Sequence, residues 1–107
     1  MKWLNKVQLI GYLGKDPEIN ILPTGVYFAT LDLATNSDYT KDDQPRETSW
    51  HKIKVWGKKS VYLKNFFIKG SHIMVDGKLV YRKYTDKNGI TRYVAEIKAD
   101  KLINLDR

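Results

Sequence analysis

Seven residues, Trp50 to Trp56 (WHKIKVW), alternate so regularly that a β-strand is the natural conformation for them. Successive strand side chains point to opposite faces, with a period of two. Trp50, Lys52, Lys54 and Trp56 then share one face, and His51, Ile53 and Val55 share the other. The second face reads as core. The first interleaves flat aromatic surface with positive charge, which a strand facing only water does not need. Aromatic rings stack on bases and lysines neutralise phosphates, so the stripe suits a single-stranded nucleic acid. A neighbouring strand, a helix or a partner subunit would equally cover a single tryptophan, and solvated lysines are ordinary. The full Trp-x-Lys-x-Lys-x-Trp pattern, in a chain of net charge +7, favours the polyanion.

The same period of two dominates the rest of the chain. Lys6–Tyr12 reads as a first strand, followed by the turn-like Lys15-Asp16-Pro17. Pro23-Thr24-Gly25 is a second turn signal, and it launches a long strand over Val26–Asn36 with Tyr27, Ala29, Leu31 and Leu33 on one face. Residues 37–47 (SDYTKDDQPRE) are polar and read as an exposed loop with one aromatic, Tyr39. The strand ending at Gly57 follows. Lys58–Ile68, with apolar residues at 61, 63, 66, 67 and 68, predicts one short helix closed by Gly70 as a C-cap. Two last strands, about 72–85 and 91–105, flank Asp86-Lys87-Asn88-Gly89, in which Asn-Gly signals a hairpin.

At 107 residues the chain is expected to form a single domain over 1–107, with no internal repeat or linker. Five strands with a helix between the third and fourth is the order of an OB-fold, an all-β, partly open Greek-key barrel that commonly binds oligonucleotides across its strand 2–3 face. Other small barrels have similar strand counts.

Charge placement sharpens the functional expectation. Residues 1–50 hold 5 Lys/Arg against 7 Asp/Glu, whereas residues 51–107 hold 14 against 5. The positive field therefore belongs to the half that carries the aromatic stripe. No apolar run approaches the roughly 18 residues of a membrane span, and no amphipathic basic helix suggests a membrane surface. Cysteine is absent, which removes disulfides and thiolate sites and fits a cytoplasmic location. His51 and His72 lack metal-ligand spacing, and there is no phosphate-cradling Gly-x-x-x-x-Gly-Lys-Ser/Thr loop, so neither a metal, a cofactor nor an enzyme is expected.

The fourth strand supplies a second basic stripe, Lys78, Val80, Arg82 and Tyr84 on one face. Tyr84 is open to two readings, a stacking platform or a cross-strand partner for Tyr93 or its neighbours. Tyr39, in its polar loop, has nothing apolar nearby to make it core. Lys58, Lys69 and Lys83 are candidate phosphate contacts or simply solvated charges.

Several co-linear segments carry a wider resemblance. Asn5-Lys6-Val7, Gly11–Pro17 (GYLGKDP), Phe28–Thr35 (FATLDLAT), Ser49–Lys58 (SWHKIKVWGK), Lys69–Ser71, Asp76–Leu79 (DGKL) and Arg82–Asp86 (RKYTD) occur in order over about residues 5–105. Together they resemble the bacterial single-stranded DNA-binding proteins. The resemblance implies an OB-fold, usually homotetrameric, that wraps single-stranded DNA without sequence preference in replication, recombination and repair. It marks Tyr39, Trp50, Trp56 and Tyr84 as base-stacking positions, each kept aromatic here. It marks Lys52, Lys58, Lys69, Arg82 and Lys83 as phosphate contacts, to which the stripe itself adds Lys54. His51 corresponds to a histidine near the subunit interface of relatives, although a satisfied core histidine is an equal reading.

Members of that family typically continue through a linker into an acidic tail ending in Pro-Phe that recruits partners. This sequence stops at Leu105-Asp106-Arg107, so tail-mediated recruitment is not expected of it. An OB-fold replication accessory that mainly docks a partner is the alternative. A dimer with weak DNA affinity would favour the accessory, and a tetramer that wraps DNA would favour the main reading. The aromatic-rich signature runs of cold-shock or RRM modules are absent.

Overall fold

The computed structural model describes residues 4–36 and 47–106. Six strands and one short helix follow in the order β1 (Val7–Leu13), β2 (Glu18–Ile21), β3 (Tyr27–Asn36), β4 (Thr48–Trp56), a 3-10 helix η1 (Lys58–Asn65), β5 (His72–Thr85) and β6 (Thr91–Asn104). The sheet order is β1-β5-β6-β4-β3-β2, and additional β1–β3 pairing bends it into a closed ring. Every pairing is antiparallel except a short parallel one between β4 and β6. This all-β barrel with one short helix between β4 and β5 is an OB-fold.

Alternation fills the barrel as the sequence pattern requires. Ala29, Leu31 and Leu33 from β3, Ile53 and Val55 from β4, Ile73 and Val75 from β5, and Ile97 and Ala99 from β6 are buried together with Leu13. Leu63 and Phe67, in and just after the helix, close one end. Each fully buried Leu, Ile or Val contributes roughly 1.5–3 kcal/mol through removal of apolar surface from water. Ring closure imposes its own demand. Where β1 crosses β3, a Cβ on Gly11 would lie 2.1 Å from the carbonyl oxygen of Ala34, so only glycine lets the strands approach.

Two local expectations change. Glu18–Ile21, not predicted as regular structure, forms a four-residue edge strand against β3, paired from Glu18↔Thr30 to Ile21↔Tyr27. The helix is a 3-10 turn that ends at Asn65, and Phe66 and Ile68 stay exposed at 65% and 62%. Gly70, at φ +89, does not cap it. Its N–H donates instead to the Leu13 carbonyl at 2.8 Å, tying the turn before β5 onto β1. The β5–β6 hairpin falls where the sequence places it, Thr85 pairing with Thr91 around residues 86–90. Asp86 organises the tip, its carboxylate accepting the N–H groups of Asn88 at 2.9 Å and Ile90 at 3.0 Å.

Candidate nucleic-acid interface

β3 and β4 pair in a register that fixes the outer face residue by residue. Ala34 stands opposite Trp50, Asp32 opposite Lys52, Thr30 opposite Lys54 and Phe28 opposite Trp56. Directly opposed residues share a face, so the stripe read from the sequence lies on one side of β4, with Ile53 and Val55 buried behind it.

The two tryptophans differ in setting. Trp50 is 62% exposed, and its ring lies across the backbone of Gly14. A Cβ on Gly14 would stand 2.5 Å from Cζ3 and 2.7 Å from Cη2 of that ring. Trp56 is half-buried, with Phe28 against it at a centroid distance of 4.8 Å and an interplanar angle of 31°. The Lys54 ammonium lies 4.9 Å from the Phe28 centroid and 5.9 Å from that of Trp56, within cation–π range.

The cations of the stripe are paired. Lys52 Nζ is 2.8 Å from Asp32 Oδ1, and Lys15 approaches the other oxygen of Asp32 at 3.5 Å. Partial burial pushes the Asp32 carboxyl up, but Lys52 and then Lys15 more than offset this and hold it below its ordinary value. Hydrogen bonding to Glu18, with Asp32 nearby, holds the Lys15 ammonium above its own. Glu96, on β6, lies almost wholly buried between Lys54 at 3.5 Å and Arg82 at 3.3 Å. Both guanidinium contacts come from one side, through Nε and Nη2.

β5 and β6 continue this face. Val80 opposes Glu96, Arg82 opposes Val94 and Tyr84 opposes Arg92, with the Arg82 guanidinium 5.7 Å from the Tyr84 ring. Tyr93 pairs with Lys83 on the reverse side, and the cross-strand partner of Tyr84 is its neighbour Arg92. Lys83 is accordingly separated from Arg82 and Tyr84 by the thickness of the sheet. Lys58 follows Gly57 at the end of β4, and Lys69 stands in the turn before β5, its N–H bonded to Asp16 Oδ1 at 2.8 Å. Both are exposed, and neither forms an ion pair with a described residue. His51 lies on the inner side of β4, half-buried, with Nε2 2.9 Å from Thr35 Oγ1. Tyr39 lies outside the described residues.

Phe28, Asp32, Glu96 and Gly14 belong to this face and were not singled out from the sequence. Phe28 carried a usable signal, since its parity in β3 is opposite to that of Ala29, Leu31 and Leu33. The carboxylates carried none, because their partners are set by register between distant strands.

An OB-fold whose outer sheet face carries exposed aromatic rings and lysines belongs to the oligonucleotide-binding class of barrels. The family comparison narrows the class. The model of the Single-strand binding protein family matches residues 4–105, and the chain belongs to that family. Membership implies binding of single-stranded DNA, without catalysis. Among the described residues no helix is long and apolar enough to cross a membrane.

Proposed function

We propose that the protein binds and protects single-stranded DNA without sequence preference, in the cytoplasm, during replication, recombination and repair. The observation that carries this reading is the β4 stripe, with Trp50 62% exposed above Gly14 and Lys52, Lys54 and Trp56 on the same face. Trp50, Trp56 and Tyr84 stack on bases, with Tyr39 as a fourth platform. Lys52, Lys54, Lys58, Lys69, Arg82 and Lys83 neutralise phosphates. No base-reading hydrogen-bond array is needed, because every base offers a π-face.

Assembly as a homotetramer is part of the proposal. It is supported by an outward face of β1 and β5 on which Ile10 is 56% and Tyr12 49% exposed, with Tyr12 stacked on His72 at 4.5 Å. His51 belongs to the interface set implied by the family resemblance.

Quenching of tryptophan fluorescence by oligo-dT, with duplex DNA as control and at two salt concentrations, tests the reading. Strong quenching by the single strand alone, weakened by salt, is the expected result. Absence of quenching in folded protein would overturn it.

A further inference from the structure

Beyond Leu79 and Ile97 the β5–β6 hairpin leaves the barrel. Its neighbours stop there, since β1 pairs with β5 only as far as Gly77 and β4 meets β6 only at Ile53↔Ile97 and Lys54↔Lys98. The result is a two-stranded arm with two faces. Alternation from Glu96, Val80 and Arg82 carries the outer face to Tyr84. Alternation from the core pair Leu79↔Ile97 carries the reverse face through Tyr81↔Ala95 and Lys83↔Tyr93.

Inside the barrel this second face is core, with Ile97 6% exposed. Outside the barrel it carries Tyr81 at 70% and Tyr93 at 69% exposure, with Lys83 beside them. Tyr81 and Tyr93 are diagonal neighbours across the ladder, within reach of one another. Two open rings and a lysine reproduce on the reverse face the chemistry of the β4 stripe. No carboxylate alternates onto this face between Tyr81 and Thr85 or between Thr91 and Ala95. The platform is stiffened at its tip by the Asp86 carboxylate, which accepts two backbone N–H groups and pairs with Arg92 at 3.0 Å.

We propose that Tyr81, Lys83 and Tyr93 form a second single-stranded DNA contact on the reverse face of the arm, engaged by strands long enough to pass around it. The inference rests on the single-stranded DNA reading and assigns Lys83 to this face instead of to the Arg82–Tyr84 face. Charge complementarity selects the occupant, since a face that carries Lys83 and no carboxylate favours a polyanion with exposed bases.

The test is a length series of oligo-dT bound by the parent, the Tyr81→Ala/Tyr93→Ala variant, Lys83→Ala and Trp50→Ala, with sedimentation of each free protein. The double variant should bind the shortest binding-competent oligomers as the parent does. It should lose at least tenfold in affinity for long ones, with a smaller occluded site. Lys83→Ala should lower the salt slope by about 0.7 on long oligomers only. Long oligomers carrying 5-iodouracil should crosslink to Tyr81 or Tyr93 in the parent.

Parent-like affinity of the double variant at every length, with Trp50→Ala weakened, would overturn the reverse-face site alone. Equal losses at all lengths would also overturn it, as would a changed oligomeric state with unchanged DNA affinity. If Trp50→Ala too matched the parent throughout, the single-stranded DNA reading itself would fail.

Discussion

Lys52 and Asp32 stand directly opposite each other on β4 and β3 and are joined by a 2.8 Å ion pair on the proposed DNA face. The side chains are 52% and 23% exposed, so the pair contributes at most about 1 kcal/mol to folding. Its functional weight is larger. A phosphate that reaches Lys52 must displace a carboxylate, and that carboxylate also repels the phosphate.

Asp32→Asn should therefore strengthen binding of single-stranded DNA several-fold. It should also steepen the dependence of log affinity on log salt by up to about 0.7, the value of one further phosphate contact. Titrations with oligo-dT at several salt concentrations measure both. Unchanged affinity would show that Lys52 and Asp32 play no part in the contact.

The same carboxylate sets an acid dependence. Its folded value is depressed below the ordinary 3.8, so the stabilisation it provides is complete above that value. It is lost as pH falls through the lower folded value. The stability gap between parent and Asp32→Asn should be constant from pH 7 to about 5 and close below 3.8, as read from unfolding midpoints across that range. A gap that widened on acidification would contradict the pairing.

Trp50→Ala should weaken binding to oligo-dT by about 5- to 150-fold, corresponding to roughly 1–3 kcal/mol for one stacked base. Its unfolding midpoint should stay close to that of the parent, because the ring is 62% exposed. Equal affinity in direct titration would remove Trp50 from the contact.

Gly14→Ala probes the same ring without removing it. The added methyl would meet Cζ3 at 2.5 Å, and the exposed ring end yields more readily than the backbone. Shifted tryptophan emission, a stability within about 0.5 kcal/mol of the parent and a several-fold loss of DNA affinity are expected. Parent-like emission and affinity would show that the ring position does not depend on Gly14.

Glu96→Gln should act on the fold. The carboxylate is 6% exposed between Lys54, itself 16% exposed, and Arg82. Removing its charge leaves the Lys54 ammonium buried against Phe28 and Trp56 without a counter-ion. The cost should be about 2–3 kcal/mol, below the 3–5 kcal/mol of a wholly buried pair because Arg82 is half-exposed. Urea unfolding checks it, and an unchanged midpoint would mean that the rings alone accommodate Lys54.

Much of this was legible in the sequence because alternation is local. The parity that separates Trp50 and Trp56 from Ile53 and Val55 follows from the strand conformation alone, as does the hairpin after Thr85. Glu18–Ile21 was not legible, because an edge strand of four residues is stabilised by its pairing to β3 rather than by its own pattern. The end of the helix was equally hidden. Its apolar residues suggest a longer segment, but only Leu63 and Phe67 find the barrel mouth.

By itself the sequence determined which side of each strand a residue faces and where the charge lies, and its co-linear motifs carried the likeness to an OB-fold family. Tertiary structure alone decided what stands opposite. Barrel closure sets the register that places Asp32 on Lys52, Phe28 on Trp56 and Glu96 between Lys54 and Arg82. It also decides where the barrel ends, so that one alternating face is core at Ile97 and open to solvent at Tyr93. The physical reason is that facing is a property of one strand, whereas partnership and burial are properties of strands that meet only after the chain has closed.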